Sequence, residues 1–242
     1  ESLILKATGE ECLMQGENMP IFSVTQDRPY HNELKLAHPN KKTTFQADTL
    51  YREGDRLIVG FELVPWEAVI RIKETPAYVG FSLEGFIVEP EDYPEYLKIT
   101  PATELRLLQL PVRSRTNFGE WLNVSWDENA AVNVLATDEF AYIDFEKRKG
   151  YDVLTATAVK ELKFEGTGAA LIVCRPDDLL DNIASLEEDF NLPRGAESRR
   201  SDLINASYYW TYEINPGNVD EHIKYAKMGG FRLMNIYYPA FE

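Results

Sequence analysis

From residue 20 to about residue 174 the chain is a succession of short β-prone runs separated by turn residues, with no convincing helix-period segment between them. Parallel sheets need a crossover, usually a helix, between successive strands, so this pattern suits two packed antiparallel sheets rather than a doubly wound fold. The expected class is mainly β, an antiparallel β-sandwich. Arg56–Leu63 follows the turn Arg52–Asp55, and Ala68–Glu74 follows Pro65 and Trp66. The second run alternates apolar and charged residues as a half-buried strand does, and the two are expected to pair antiparallel. Tyr78–Leu83, Leu105–Leu110, Trp121–Ser125, Ala131–Leu135, Phe140–Phe145, Val153–Ala158 and Ala169–Cys174 continue the series.

The pattern changes at Pro176. Leu179, Leu180, Ile183, Leu186 and Phe190 then fall at helical spacing, with Pro176, Asp177 and Asp178 suited to a first turn. Residues 191–204 are polar, glycine-bearing and locally basic, and read as a linker between a sandwich domain over 1–190 and a segment over 205–242. That last segment opens with the β-prone Ile204–Tyr212, broken by Asn215–Asn218. Val219–Met228 follows with helical spacing, Asn218 as its N-cap and Glu221 three positions on, and Gly229–Gly230 supplies a left-handed stop. A second apolar run, Phe231–Tyr238, comes next. Strand, helix and strand in so short a span predict a right-handed βαβ crossover with parallel strands. Two parallel strands under one helix leave a sheet face and both edges open, so the unit is expected to be the truncated start of a larger α/β domain, a (β/α)8 barrel in particular. A finished appendage capping the sandwich is the alternative.

Charge and composition narrow the partners. The 242 residues carry 25 Lys and Arg against 40 Asp and Glu, a formal charge of −15, so nucleic acid and anionic lipid are repelled on average. No apolar run approaches the roughly 20 residues of a membrane helix. Charged residues at 27% and aromatics at 12% exclude a disordered polymer. Cys12 and Cys174 are too few and too distant for a zinc cluster or a disulfide framework, and are expected as buried free thiols. His31, His38 and His222 lack metal-ligand spacing. Phosphate-loop, dinucleotide and serine-elbow motifs are absent from the sequence, so no cofactor is implied. The triplets Asn123-Val124-Ser125 and Asn205-Ala206-Ser207 match the glycosylation pattern, which also arises by chance. Glu1 is not preceded by methionine or a charged-then-apolar leader, which reads as a mature or trimmed start.

A β-sandwich, a linking helix, then Ser207–Glu213 leading through Asn218–Phe231 into Arg232–Ile236 resembles the domain join of retaining glycoside hydrolases related to α-galactosidases, the melibiase-like superfamily. The helix ending Ala226-Lys227-Met228-Gly229-Gly230-Phe231 before the second strand carries the resemblance. It implies an N-terminal sandwich supporting a catalytic (β/α)8 barrel, an extracytoplasmic carbohydrate-processing enzyme, and two catalytic Asp on later strands beyond residue 242. The catalytic residues are therefore not assigned in this chain, which is expected to be inactive alone, since retention needs two carboxyls about 5 Å apart.

Barrel active sites gather at the C-terminal ends of the strands, here Tyr209–Glu213 and Tyr237–Phe241. Trp210, Tyr212 and Tyr238 are candidates for a sugar-stacking platform, and Glu213 or Asn215 for contacts to hydroxyls, with barrel core as the plainer role for the aromatics. Trp66, Trp121 and Trp126 could line a glycan surface on the sandwich, although Trp121 and Trp126 would point to opposite faces of one continuous strand. The acidic runs 89–95, Asp127–Glu128 and Glu187–Asp189 read as solvated faces rather than calcium loops. The expected partner is thus an oligosaccharide or glycan. Two rival readings remain: a non-catalytic carbohydrate-binding module, and a protein-interaction domain that oligomerises through the unfinished βαβ edge.

Overall fold

Period-2 alternation commits a strand to one buried face. In the computed structural model, which describes residues 2–17, 19–27, 42–88, 102–160 and 163–237, this rule governs most of the larger of two compact units, Glu1–Pro193. After a small hairpin of β1 (Ile4–Leu5) and β2 (Glu10–Glu11) come β3 (Ser23–Asp27), β4 (Lys42–Glu53), β5 (Arg56–Phe61), β6 (Trp66–Glu74) and β7 (Val79–Val88). They are followed by β8 (Ala102–Arg113), β9 (Asn117–Gly119), β10 (Val124–Trp126), β11 (Ala131–Ala136), β12 (Ala141–Arg148), β13 (Tyr151–Val159) and β14 (Gly168–Cys174). Twelve of these strands form one continuous antiparallel sheet in the order β12-β13-β8-β3-β4-β5-β6-β7-β14-β11-β10-β9. The expected pairing of β5 with β6 is among its ladders.

The two layers of the expected sandwich are therefore halves of one curled sheet, and β4 is the corner. Its first residues, Lys42–Gln46, pair with β3, and from Ala47 onward it pairs with β5, with a register shift between Ala47 and Thr49 inside that second ladder. A bulge of this kind bends a strand and lets it serve both layers. The far ends of the strand order come back together. Phe118 on β9 meets Phe145 on β12 with ring centroids 4.5 Å apart, and the Lys147 ammonium lies 4.7 Å from the Phe118 centroid.

Side chains from both halves fill the space between. One cluster joins Val24, Leu105 and Leu107 to Val59, Phe61, Trp66, Ile70 and Leu83. A second joins Leu108, Leu110, Val112 and Leu154 to Val132, Val134, Ala169 and Leu171. The switch between clusters lies in β8. Ala156 pairs with Leu108 and Thr157 with Arg106, so Leu107 is the extra residue of a β-bulge, and the buried parity of β8 changes from odd to even there. Each fully buried Leu or Ile contributes ~1.5–3 kcal/mol relative to exposure.

Helix α1 (Leu179–Asp189) begins after a 3-10 turn at Pro176–Asp178 and buries Leu179, Ile183 and Leu186. Its C-terminal end is held to the β6–β7 hairpin: the Tyr78 hydroxyl and the Lys73 ammonium both donate to Asp189 Oδ2, at 2.5 and 2.7 Å. Cys12 and Cys174 are free and buried, as expected.

The second unit is Arg194–Glu242. Residues read as a linker include a helical turn, α2 (Gly195–Ser198), and a 3-10 turn at Asp202–Asn205. Strand β15 (Tyr208–Thr211), helix α3 (Val219–Met228) and strand β16 (Leu233–Ile236) then form a βαβ unit whose strands pair parallel, Tyr208 opposite Leu233 and Thr211 opposite Ile236. Gly230 takes the left-handed conformation, φ +68°, as the helix stop requires. The cap at the other end differs from expectation. Asn218 makes no side-chain cap bond; its Oδ1 accepts from Asn215 N at 2.7 Å and its Nδ2 donates to Glu213 O at 3.2 Å. The amide stiffens the preceding turn instead. Further β/α repeats of a barrel are not among the described residues.

Candidate functional site

Successive residues of a strand point to opposite faces, so β15 divides its aromatics between two environments. Tyr209 faces α3, where its ring lies 5.4 Å from Tyr225 and 5.9 Å from Phe231, and its hydroxyl is 2.9 Å from His222 Nδ1. His222 thus sits at the helix–sheet seam. Thr211 and Ala226 are buried beside it. Within this unit, the described residues put no such cover on the opposite face. Tyr208, Trp210 and Tyr212 stand there with Tyr237, which follows β16; Trp210 is 45% and Tyr212 66% exposed.

These rings form one cluster. Trp210 is 6.1 Å from Tyr212 and 6.3 Å from Tyr237 between centroids, and Tyr212 to Tyr237 is 5.7 Å. Tyr208 closes the row at 6.5 Å from Trp210. The three closest rings lie at the C-terminal ends of the parallel strands, where Tyr237 N also donates to Thr211 O at 3.1 Å. Two candidates from the sequence, Trp210 and Tyr212, are brought together. The third, Tyr238, lies outside the described residues; its neighbour Tyr237 is in the cluster. Tyr208 is a member that the sequence reading lacks, although strand alternation puts it on the face of Trp210 two residues on.

Glu213 is exposed just past β15, with its backbone carbonyl bonded to Asn218. The Asn215 side chain is engaged within its own turn, where its Oδ1 accepts from Gly217 N at 2.8 Å. The Asn215–Asn218 turn is thereby fixed beside the cluster. Flat apolar ring faces edged by phenolic hydroxyls can stack on and hydrogen-bond a polyhydroxylated ring. No group of three or more His, Cys, Asp or Glu suited to a metal occurs among the described residues. His31, His38 and the acidic loop 89–95 lie outside them.

On the larger unit, Trp66 is core, 2% exposed. Trp121 and Trp126 do not share a strand. A 3-10 turn at Glu120–Leu122 precedes β10, leaving Trp121 99% exposed and Trp126 half-buried. A cleft of about 480 Å³ on this unit is lined by Leu5, Tyr78, Leu171, Cys174, Asp178 and Asn182, among others. Burial pushes the Cys174 thiol up to about 11, against a smaller opposing effect of Asn182, so it offers no thiolate at neutral pH. No helix among the described residues is long and apolar enough to cross a membrane.

No protein-family profile matches the chain, and no curated protein matches it. Among solved structures it is similar to a family 31 glycoside hydrolase, a sulfoquinovosidase from E. rectale, at 11% identity and a TM-score of 0.37, over 92% of this chain and 38% of that one. It is also similar to an α-N-acetylgalactosaminidase from Bifidobacterium bifidum, at 10% identity and a TM-score of 0.43, over 95% of this chain and 47% of that one. The chain spans less than half the length of either.

Proposed function

We propose that this chain is the N-terminal portion of a carbohydrate-active enzyme, a glycoside hydrolase, in which the curled-sheet unit supports a (β/α)8 barrel opened by β15, α3 and β16. One observation carries the reading: the parallel pair is covered by α3 on one face and presents Tyr208, Trp210, Tyr212 and Tyr237 on the other. Parallel sheets are normally buried on both faces. In a barrel that second face is the interior, and the ring cluster would stand at the catalytic end of its strands. There Trp210, Tyr212 and Tyr237 are the stacking platform for a sugar, Glu213 is a contact to its hydroxyls, and the two reacting carboxylates belong to later strands. The fragment on its own is inactive.

Reading the gene past codon 242 tests this. Continued β-α alternation with two carboxylates at strand ends is expected, and the longer product should cleave aryl glycosides with a raised KM in Trp210→Ala. A stop codon directly after Glu242 would overturn the proposal and leave a binding or interaction module.

A further inference from the structure

A fully exposed indole on a flexible tail carries little information, but the turn bearing Trp121 is held from within. Asn123 takes the left-handed conformation, φ 46° and ψ 51°, and its N–H donates to Glu120 O at 3.2 Å. Its side-chain amide, buried at 2% exposure, donates to Val134 O at 3.3 Å. From β11 the fully buried Asn133 donates to the carbonyls of Leu122 and Asn123. The Oδ1 atoms of both amides are left without a hydrogen bond among the described residues. Two core amides therefore hold in place a surface turn whose outward product is the Trp121 ring.

Resting on the carbohydrate reading above, we propose that Trp121 is a second, separate sugar-stacking residue, taking one pyranose ring of an uncharged oligosaccharide on the larger unit. Size and charge select this ligand. Leu122, 42% exposed, is the large apolar neighbour, and Phe118 is half-buried against Phe145. A stable protein interface needs about 800 Å² per partner, whereas one indole offers about 200 Å². That matches the face of a single sugar ring. With Glu120 adjacent and a net charge of −15, anionic ligands are disfavoured.

The test follows the indole N–H resonances of the four tryptophans by NMR on the full 242-residue chain, with Trp121 identified through Trp121→Phe. Neutral gluco-, galacto-, manno- and xylo-oligosaccharides are titrated to millimolar concentration. A saturable shift of the Trp121 signal by at least one series is expected. Trp121→Ala should leave the melting temperature unchanged and weaken that binding about tenfold, equivalent to about 1.4 kcal/mol. Shifts at Trp210 with none at Trp121 would overturn this site while sparing the carbohydrate reading; silence at both would count against both. Broadening of the Trp121 signal with protein concentration, without sugar, would overturn it in favour of contact with a second copy.

Discussion

The Arg115 side chain is a nearly enclosed charge. The side chain is 4% exposed, and its guanidinium donates to Glu10 Oε1 at 2.7 Å and Asp127 Oδ2 at 2.8 Å, tying the N-terminal hairpin to the β10–β11 turn. Removing one partner of a buried pair costs about 3–5 kcal/mol. Because Glu10 and Asp127 keep 30% and 23% exposure, Arg115→Ala should fall near the lower end, about 3 kcal/mol, read from chemical denaturation. Asp127 also gives the pH response a sign. Burial pushes its carboxyl up, but the N–H groups of Asn129 and Ala130 and the Arg115 guanidinium overcome this and hold it below its usual value. A depressed folded-state pKa contributes stability that is complete above the unfolded value and lost as pH falls through the folded one. Melting temperature should therefore decline below about pH 4, and Asp127→Asn should flatten that decline. Glycines provide a sharper contrast. A Cβ at Gly168 would lie 2.5 Å from Thr137 Oγ1 and 2.9 Å from the Phe81 carbonyl, while one at Gly85 meets nothing within 4 Å. Gly168→Ala should destabilise by about 1–3 kcal/mol, and Gly85→Ala should be neutral or stabilising by about 0.5 kcal/mol. Differential scanning calorimetry of the two variants separates them.

At the scale of elements, legibility follows how local the determining interaction is. The strand over Ala68–Glu74 is readable because β6 buries alternate residues along its first half. Strand β4 is not. Its sequence KTTFQADTLYRE is mostly polar, its second half is exposed, and its course is fixed by partners in both sheet halves. The run Trp121–Ser125 reads as continuous because Asn123, although tolerant of the left-handed region, is fixed there by Asn133 ten residues away. The aromatic row is half legible: Trp210 and Tyr212 share a face by parity, but the place of Tyr237 beside them is set by the register of β16 against β15. Helix α1 is readable from its buried stripe, while its anchoring is not, since Lys73 and Tyr78 lie on a distant hairpin. Tyr78 is 3% exposed, and its hydroxyl bond is to a carboxylate. Tyr78→Phe should therefore cost about 1.5 kcal/mol, and should raise amide exchange first at the C-terminal turn of α1. Uniform loss of protection across the sheet would show that this bond is not a local staple.

On the scale of the whole molecule, the two units differ in how much each can bury for itself. Glu1–Pro193 holds both core clusters. In Arg194–Glu242 the buried residues among those described are Thr211 and Ala226. There Trp210, Tyr212 and Tyr237 stay exposed on the sheet face, and Ile223, Tyr225 and Met228 on the helix. A unit this small buries too little apolar surface to offset its chain entropy without help. Truncation after Pro193 should then leave a cooperatively folding protein with essentially unchanged melting temperature, because the curled sheet is closed across its layers by its own residues. Residues 194–242 expressed alone should show no cooperative transition. The exposed aromatics of the full chain should bind a hydrophobic dye such as ANS, and the truncated chain should bind much less. Replacing Trp210, Tyr212 and Tyr237 together by Ser should reproduce that loss of dye without lowering the melting temperature, since rings exposed on an open face contribute little to the fold. A large drop in melting temperature in the triple variant would mean that the face is already covered within this chain and would overturn the proposed barrel.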